Sequence, residues 1–227
     1  MKRKENPVSE VFKDYYEDFM YALTKIDKEY ISFYLSLKSN RIEDENDPRV
    51  KFPERIFAYE FYHQYRRLME DKEYGKTEFY KDKILNGEQE KQGVRFDAIK
   101  GELDRFTPDL ILHHSVSDTS GQYWICEIKM SHNPKPFDDL FKIGLYKKCG
   151  VKFEYYIFLY VVDFEELGDE KAIMANYILK HKGDDPKKTA GFVDETICFF
   201  YDPLKKDVQA EWLCNILLDA QKNTKAQ

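Results

Sequence analysis

Cysteine is scarce and poorly spaced for chemistry. The four present, Cys126, Cys149, Cys198 and Cys214, include no Cys-x-x-Cys pair. That excludes a disulfide framework or a zinc knuckle and leaves reduced thiols in a cytoplasmic protein as the expectation. Long apolar runs are missing as well. No window approaches the ~20 apolar residues of a membrane helix, so no membrane span is expected. The opening MKRKENPVSE is basic, but no apolar stretch follows it, so it does not read as a secretory signal peptide. Positive charge is not in excess either. The 227 residues carry 36 Lys and Arg against 42 Asp and Glu, a net charge of −6. A protein that coats nucleic acid through bulk charge is usually basic, so any such contact here must be local.

Core-forming residues are plentiful. Seventeen Tyr and seventeen Phe stand in a chain that is 42% hydrophobic, enough for a sizeable globular core. Charge is unevenly placed. Residues 135–152 hold five Lys against two Asp, whereas 163–170 hold five acids and no base. The acidic run reads as a solvated loop entering a helix.

Val11, Tyr15, Phe19, Ala22, Ile26, Tyr30 and Phe33 recur at spacings of three and four, predicting one helix from Ser9, its N-cap, to about Leu37. The polar, Pro-bearing segment 38–52 reads as a linker. A second helix is predicted after Pro53, with Ile56, Tyr59, Tyr62 or His63, and Arg66 marking successive turns and Glu60 in its middle. KILNGEQ is a short strand candidate. PDLILHH and YWICEIKM read as adjacent strands of a hairpin around the turn DTSGQ. Beyond them, PFDDLFKIGLYKKC is helical. EYYIFLYVVD is a strand covered on both faces. EELGDEKAIMANYILKHK is a helix, TICFFYD a strand, and DVQAEWLCNILLDAQK a closing helix. The alternation predicts an α/β fold with a mixed central sheet flanked by helices, preceded by an N-terminal helical extension.

Two charges interrupt the apolar strand WICEIKM. Residues two apart on a strand share a face, so Glu127 and Lys129 point one way and Cys126 and Ile128 the other. Asp109 opens the preceding strand and can lie beside Glu127. Close carboxylates repel unless a proton or a cation joins them. Mg2+ favours one or two carboxylates, with waters and substrate phosphate completing its shell. Such an ion polarises a phosphodiester and lowers the pKa of a bound water, and a nearby Lys orients that water or stabilises the developing charge.

Pro108-Asp109 followed by Glu127-Ile128-Lys129 resembles the PD-(D/E)XK nuclease superfamily, the restriction-endonuclease-like fold. The resemblance covers roughly residues 54–163. It implies Asp109 and Glu127 as ligands of Mg2+ or Mn2+, the Ile128 carbonyl as a further ligand, and Lys129 as the residue that positions or activates the attacking water. Many members carry a Glu on a helix before the sheet, and Glu60 is the candidate, ahead of Glu88 and Glu102. The helix after the motif often lines the site, which makes Lys142 and Tyr146 candidates for substrate phosphate. The implied organisation is an N-terminal helix and linker over 1–50 and a nuclease domain over 51–227.

Plainer readings accompany each candidate. Glu127 and Lys129 can form a solvated strand pair, and Glu60 a surface helix pair. Lys142 and its neighbours can be an exposed helix face. His113 and His114, adjacent on a strand, face opposite ways and cannot chelate together, and His63 stands alone. The expected activity is metal-dependent hydrolysis of nucleic acid, with DNA as substrate. The alternatives are a catalytically weak or inactive binding module or subunit of a larger DNA-processing complex, and a hydrolase of small phosphate esters. The first helix is a candidate surface for a homodimer or a partner protein.

Overall fold

The computed structural model describes residues 2–27, 30, 48–87, 108–114, 122–131, 136–148, 152–181 and 192–225. Seven helices and six strands follow in the order α1 (Val8–Val11), α2 (Lys13–Thr24), α3 (Pro48–Glu70), α4 (Thr77–Tyr80), β1 (Lys83–Gly87), β2 (Leu110–His114), β3 (Gln122–Met130), α5 (Asp138–Lys148), β4 (Phe153–Val161), α6 (Leu167–His181), β5 (Thr196–Asp202), β6 (Asp207–Trp212) and α7 (Leu213–Lys225) among the described residues. The strands form one open sheet in chain order. β1, β2 and β3 are an antiparallel meander, β3, β4 and β5 run parallel, and β6 returns antiparallel. The α/β class and mixed sheet expected from the alternation are present.

Register assigns the two faces. Trp124 and Ile128 lie beside Tyr155 and Leu159, and Leu159 beside Phe199. The N-terminal helices cover this face: Phe19 meets Trp124 and Phe199, each at 5.1 Å between ring centroids, and Tyr65 of α3 meets Trp124 at 5.5 Å. Glu127 and Lys129 lie beside Phe158 and Tyr160 on the opposite face. There Phe137, just before α5, packs on Tyr160 at 5.4 Å and on Tyr177 of α6 at 6.2 Å. The sheet is thus buried on both sides, which is why β4 and β5 read as continuous apolar runs.

Three sequence expectations change. The first helix is broken at Phe12, whose φ of −92° and ψ of 21° leave the helical region. The break brings Phe12 inward to full burial and leaves Val11 48% exposed. Ser9 lies inside α1 and Pro7 takes the cap position, and the second piece ends at Thr24, short of Ile26 and Tyr30, while Phe33 to Leu37 lie outside the described residues. The second helix begins at Pro48, and its core stripe is Phe57, Phe61, Tyr65 and Leu68. The spacing through Tyr59 and Arg66 traced the outward face, because aromatic residues occur all round this helix. Finally, DVQAEW is not helical. Val208 and Trp212 are buried while Asp207 and Gln209 are exposed, the period-two signature of an edge strand. The helix starts only at Leu213. The turn into β6 is organised by buried Asp202, whose Oδ1 accepts from the Leu204 N–H at 2.8 Å and the Lys205 N–H at 3.0 Å. Its Oδ2 accepts from the Phe164 N–H at 3.1 Å, joining the turn to the segment after β4.

Candidate active site

Antiparallel pairing of Leu110 with Cys126 sets Asp109 across from Glu127. Asp109 is anchored there: its Oδ2 accepts from the Ile128 N–H at 2.7 Å. Glu127 is fully buried, and the strand alternation that buries it also turns Lys129 to the same side. Asp109, Glu127 and Lys129 are therefore brought together.

Two further acids complete the arrangement. Lys129 Nζ lies 2.5 Å from Glu54 Oε1 and 2.8 Å from Asp139 Oδ2. Glu54 belongs to the first half of α3, and Asp139 to the first turn of α5, where an acid also suits the helix dipole. The other oxygen of Asp139 pairs with Lys142, whose Nζ is 3.9 Å from Glu127 Oε2. Asp139 thus holds one ammonium group on each oxygen. Lys142, proposed from sequence as a phosphate contact, sits against the carboxylates themselves.

Burial and proximity set the protonation states. Burial works against charge on Lys129, but Glu54, Asp139 and Asp109 outweigh it and raise its pKa above the ordinary lysine value. Lys142 is likewise raised against its burial, by Glu127 and Asp139. Burial also opposes the charge on Asp139, yet the two lysines hold its carboxyl below the usual range. Glu54 goes the other way. Burial, reinforced by Asp109 and Asp139, pushes it up despite Lys129.

Glu60 is placed elsewhere. It is buried, and its Oε1 accepts a 2.6 Å hydrogen bond from Gln64 of its own helix. Six residues set it about 120° round the helix and ~9 Å along it from Glu54. Glu54 is the α3 acid that reaches Lys129. Neither Glu54 nor Asp139 is among the sequence candidates. Tyr146 lies on α5, but its side chain, like Glu88 and Glu102, falls outside the described residues. His113 is held by its own surroundings: Nδ1 donates to the His114 carbonyl at 2.7 Å, so Nε2 accepts from Asn86 at 2.9 Å. Burial pushes the thiols of Cys126 and Cys198 up, which leaves them poor nucleophiles.

No family model, no curated protein and no solved structure matches the chain. The chemistry must be read from the side chains. The cluster sets four carboxylates, Glu54, Asp109, Glu127 and Asp139, against two ammonium groups, Lys129 and Lys142. Among the described residues, no group of three or more His, Cys, Asp and Glu side chains is disposed to hold a metal ion. Mg2+ needs only one or two carboxylates, and oxygen-only donors suit a hard divalent cation. No helix among the described residues is long and apolar enough to cross a membrane.

Proposed function

We propose that this chain is a metal-dependent nuclease with a restriction-endonuclease-like fold, hydrolysing phosphodiester bonds in DNA. The observation that carries the reading is the convergence of Asp109, buried Glu127 and Lys129 where β2 meets β3, with Glu54 and Asp139 against Lys129. The element order supports it. An acid-bearing helix precedes the meander, one motif half stands just before its second strand and the other in its third, and the helix after them returns Asp139 and Lys142 to the site.

Asp109, Glu127 and the Ile128 carbonyl would hold Mg2+ or Mn2+, with Glu54 in the role first assigned to Glu60. When bound, the ion would supply Lewis-acid polarisation of the scissile phosphate and a more acidic water. The protein's own part follows from the protonation states. Lys129, its pKa raised, keeps its proton at neutral pH. As the ammonium it would donate hydrogen bonds to the attacking water or to the phosphate oxygens. Lys142, also protonated, adds a second positive charge for the phosphate.

A binding module, or a subunit of a DNA-processing complex with little cleavage, is the second reading. The ion pairs that Lys129 and Lys142 make with Glu54, Glu127 and Asp139 favour it, since such a network can be structural. Thermal unfolding with Mg2+ separates the two. A ligand at a hundred times its Kd stabilises the folded state by about 2.7 kcal/mol. The nuclease reading expects Mg2+ or Mn2+ to raise the midpoint of the wild type and not of Glu127→Gln. A wild type indifferent to both ions would sink metal-dependent catalysis and leave the binding reading.

A further inference from the structure

The two lysines of the cluster are held in different ways. Lys129 is wedged between Glu54 and Asp139, acids carried by two separate helices. Lys142 pairs with Asp139, three residues back on its own helix, and its Nζ stands 3.9 Å from Glu127 Oε2. Its side chain is 27% exposed, against 13% for Lys129, so it borders solvent where Lys129 is enclosed. A lysine ammonium rides on a flexible four-carbon stem. Lys142 can therefore turn away from Glu127 and keep its pairing with Asp139, which sits on the same face of the same helix.

Glu127 is the carboxylate contested at this point. It is fully buried, and a buried carboxylate keeps its charge at least cost with a cation close by. Lys142 brings such a cation from α5. A divalent ion would need the same oxygens. Bonded to Glu127 Oε2 at ~2.1 Å, Mg2+ would lie within ~6 Å of the ammonium, since that nitrogen is 3.9 Å from the same oxygen. Two cations at that range repel, and burial strengthens the repulsion. The ammonium and the ion therefore compete for one carboxylate. Of the two lysines, Lys142 is the one free to give way.

We propose that Lys142 is a built-in competitor for the divalent cation at Glu127, setting the concentration at which the ion binds and turning on Asp139 toward substrate when the ion takes its place. The inference rests on the nuclease reading for the place of the ion, but it is tested through ion binding alone. A lysine that only contacts phosphate would leave ion affinity unchanged without nucleic acid. A lysine that only braces the fold would lower stability on removal and gain no ion affinity.

Isothermal titration calorimetry with Mn2+, in the absence of nucleic acid, compares the wild type with Lys142→Gln, Lys142→Met, Lys142→Arg and the double variant E127Q/K142Q. Circular dichroism checks each fold, and two neutral variants keep the comparison intact if one folds poorly. Both neutral variants are expected to bind Mn2+ about tenfold tighter than the wild type, within the usual range for coupled sites. Lys142→Arg keeps the charge and is expected to stay near the wild type. E127Q/K142Q is expected to lose the gain, which locates the ion at Glu127. Neutral variants that bind no tighter than the wild type, or a gain that survives in the double variant, would overturn the competition. The nuclease reading would then still stand if Lys129→Met abolished cleavage. A tenfold gain in a protein that cuts no DNA would support the competition and overturn the nuclease, and Mn2+ binding by none of the proteins would overturn both.

Discussion

Asp139 shares its two oxygens between Lys129 and Lys142, so removing its charge strips one partner from each ammonium at once. Asp139→Asn is expected to cost about 3 kcal/mol at neutral pH, the scale for breaking a buried pair. Because the two lysines hold its folded-state pKa below the unfolded value of ~3.9, this contribution is complete above that value. It is lost as pH falls through the folded pKa. Urea unfolding at several pH values should therefore show a wild-type advantage that is constant near neutrality and shrinks below about pH 4; an advantage that grew on acidification would contradict the pairing. The sequence disclosed the Asp109, Glu127 and Lys129 triad because period-two alternation in a strand fixes which side chains meet. It did not disclose Glu54 or Asp139. Both sit on helices rather than strands, where no period-two alternation fixes which side chains meet. Aromatic residues on every side of α3 left no angular cue to choose Glu54 over Glu60.

Strands from Lys83 to Asp202 were legible because turn residues or helical periods bound each apolar run. β6 was missed for a physical reason: its alternation runs without a break into the amphipathic pattern of α7, and no Gly or Pro separates them. What starts the strand lies upstream, in the Asp202 turn, where the chain reverses and Lys206 takes a φ of 50°. Asp202→Ala would leave the N–H groups of Phe164, Leu204 and Lys205 without this acceptor. The expected cost is about 3 kcal/mol in urea unfolding, with cleavage per folded molecule unchanged. A loss below about 0.5 kcal/mol would show that the turn does not depend on this side chain.

Across the molecule, the α/β alternation was readable, whereas the packing of the N-terminal helices into the same core was not, since long-range contacts leave no local pattern. Phe12, Tyr15 and Phe19 join one continuous apolar cluster with the sheet. Together with α3 they brace the face opposite Glu127 and Lys129, which fixes β3 and so the two charges. The fold brings the carboxylates of Glu54, Asp109, Glu127 and Asp139 and the ammonium groups of Lys129 and Lys142 to one locality of a protein of net charge −6. The decisive measurement is cleavage of plasmid and single-stranded DNA by pure protein with Mg2+ or Mn2+, comparing wild type, Glu127→Gln and Lys129→Met. Metal-dependent cutting by the wild type is expected to fall ~100-fold or more in both variants, the range for losing one group that stabilises the transition state. No cutting by the wild type on either substrate with either ion, or a Lys129→Met variant that cuts as fast as the wild type, would contradict the nuclease.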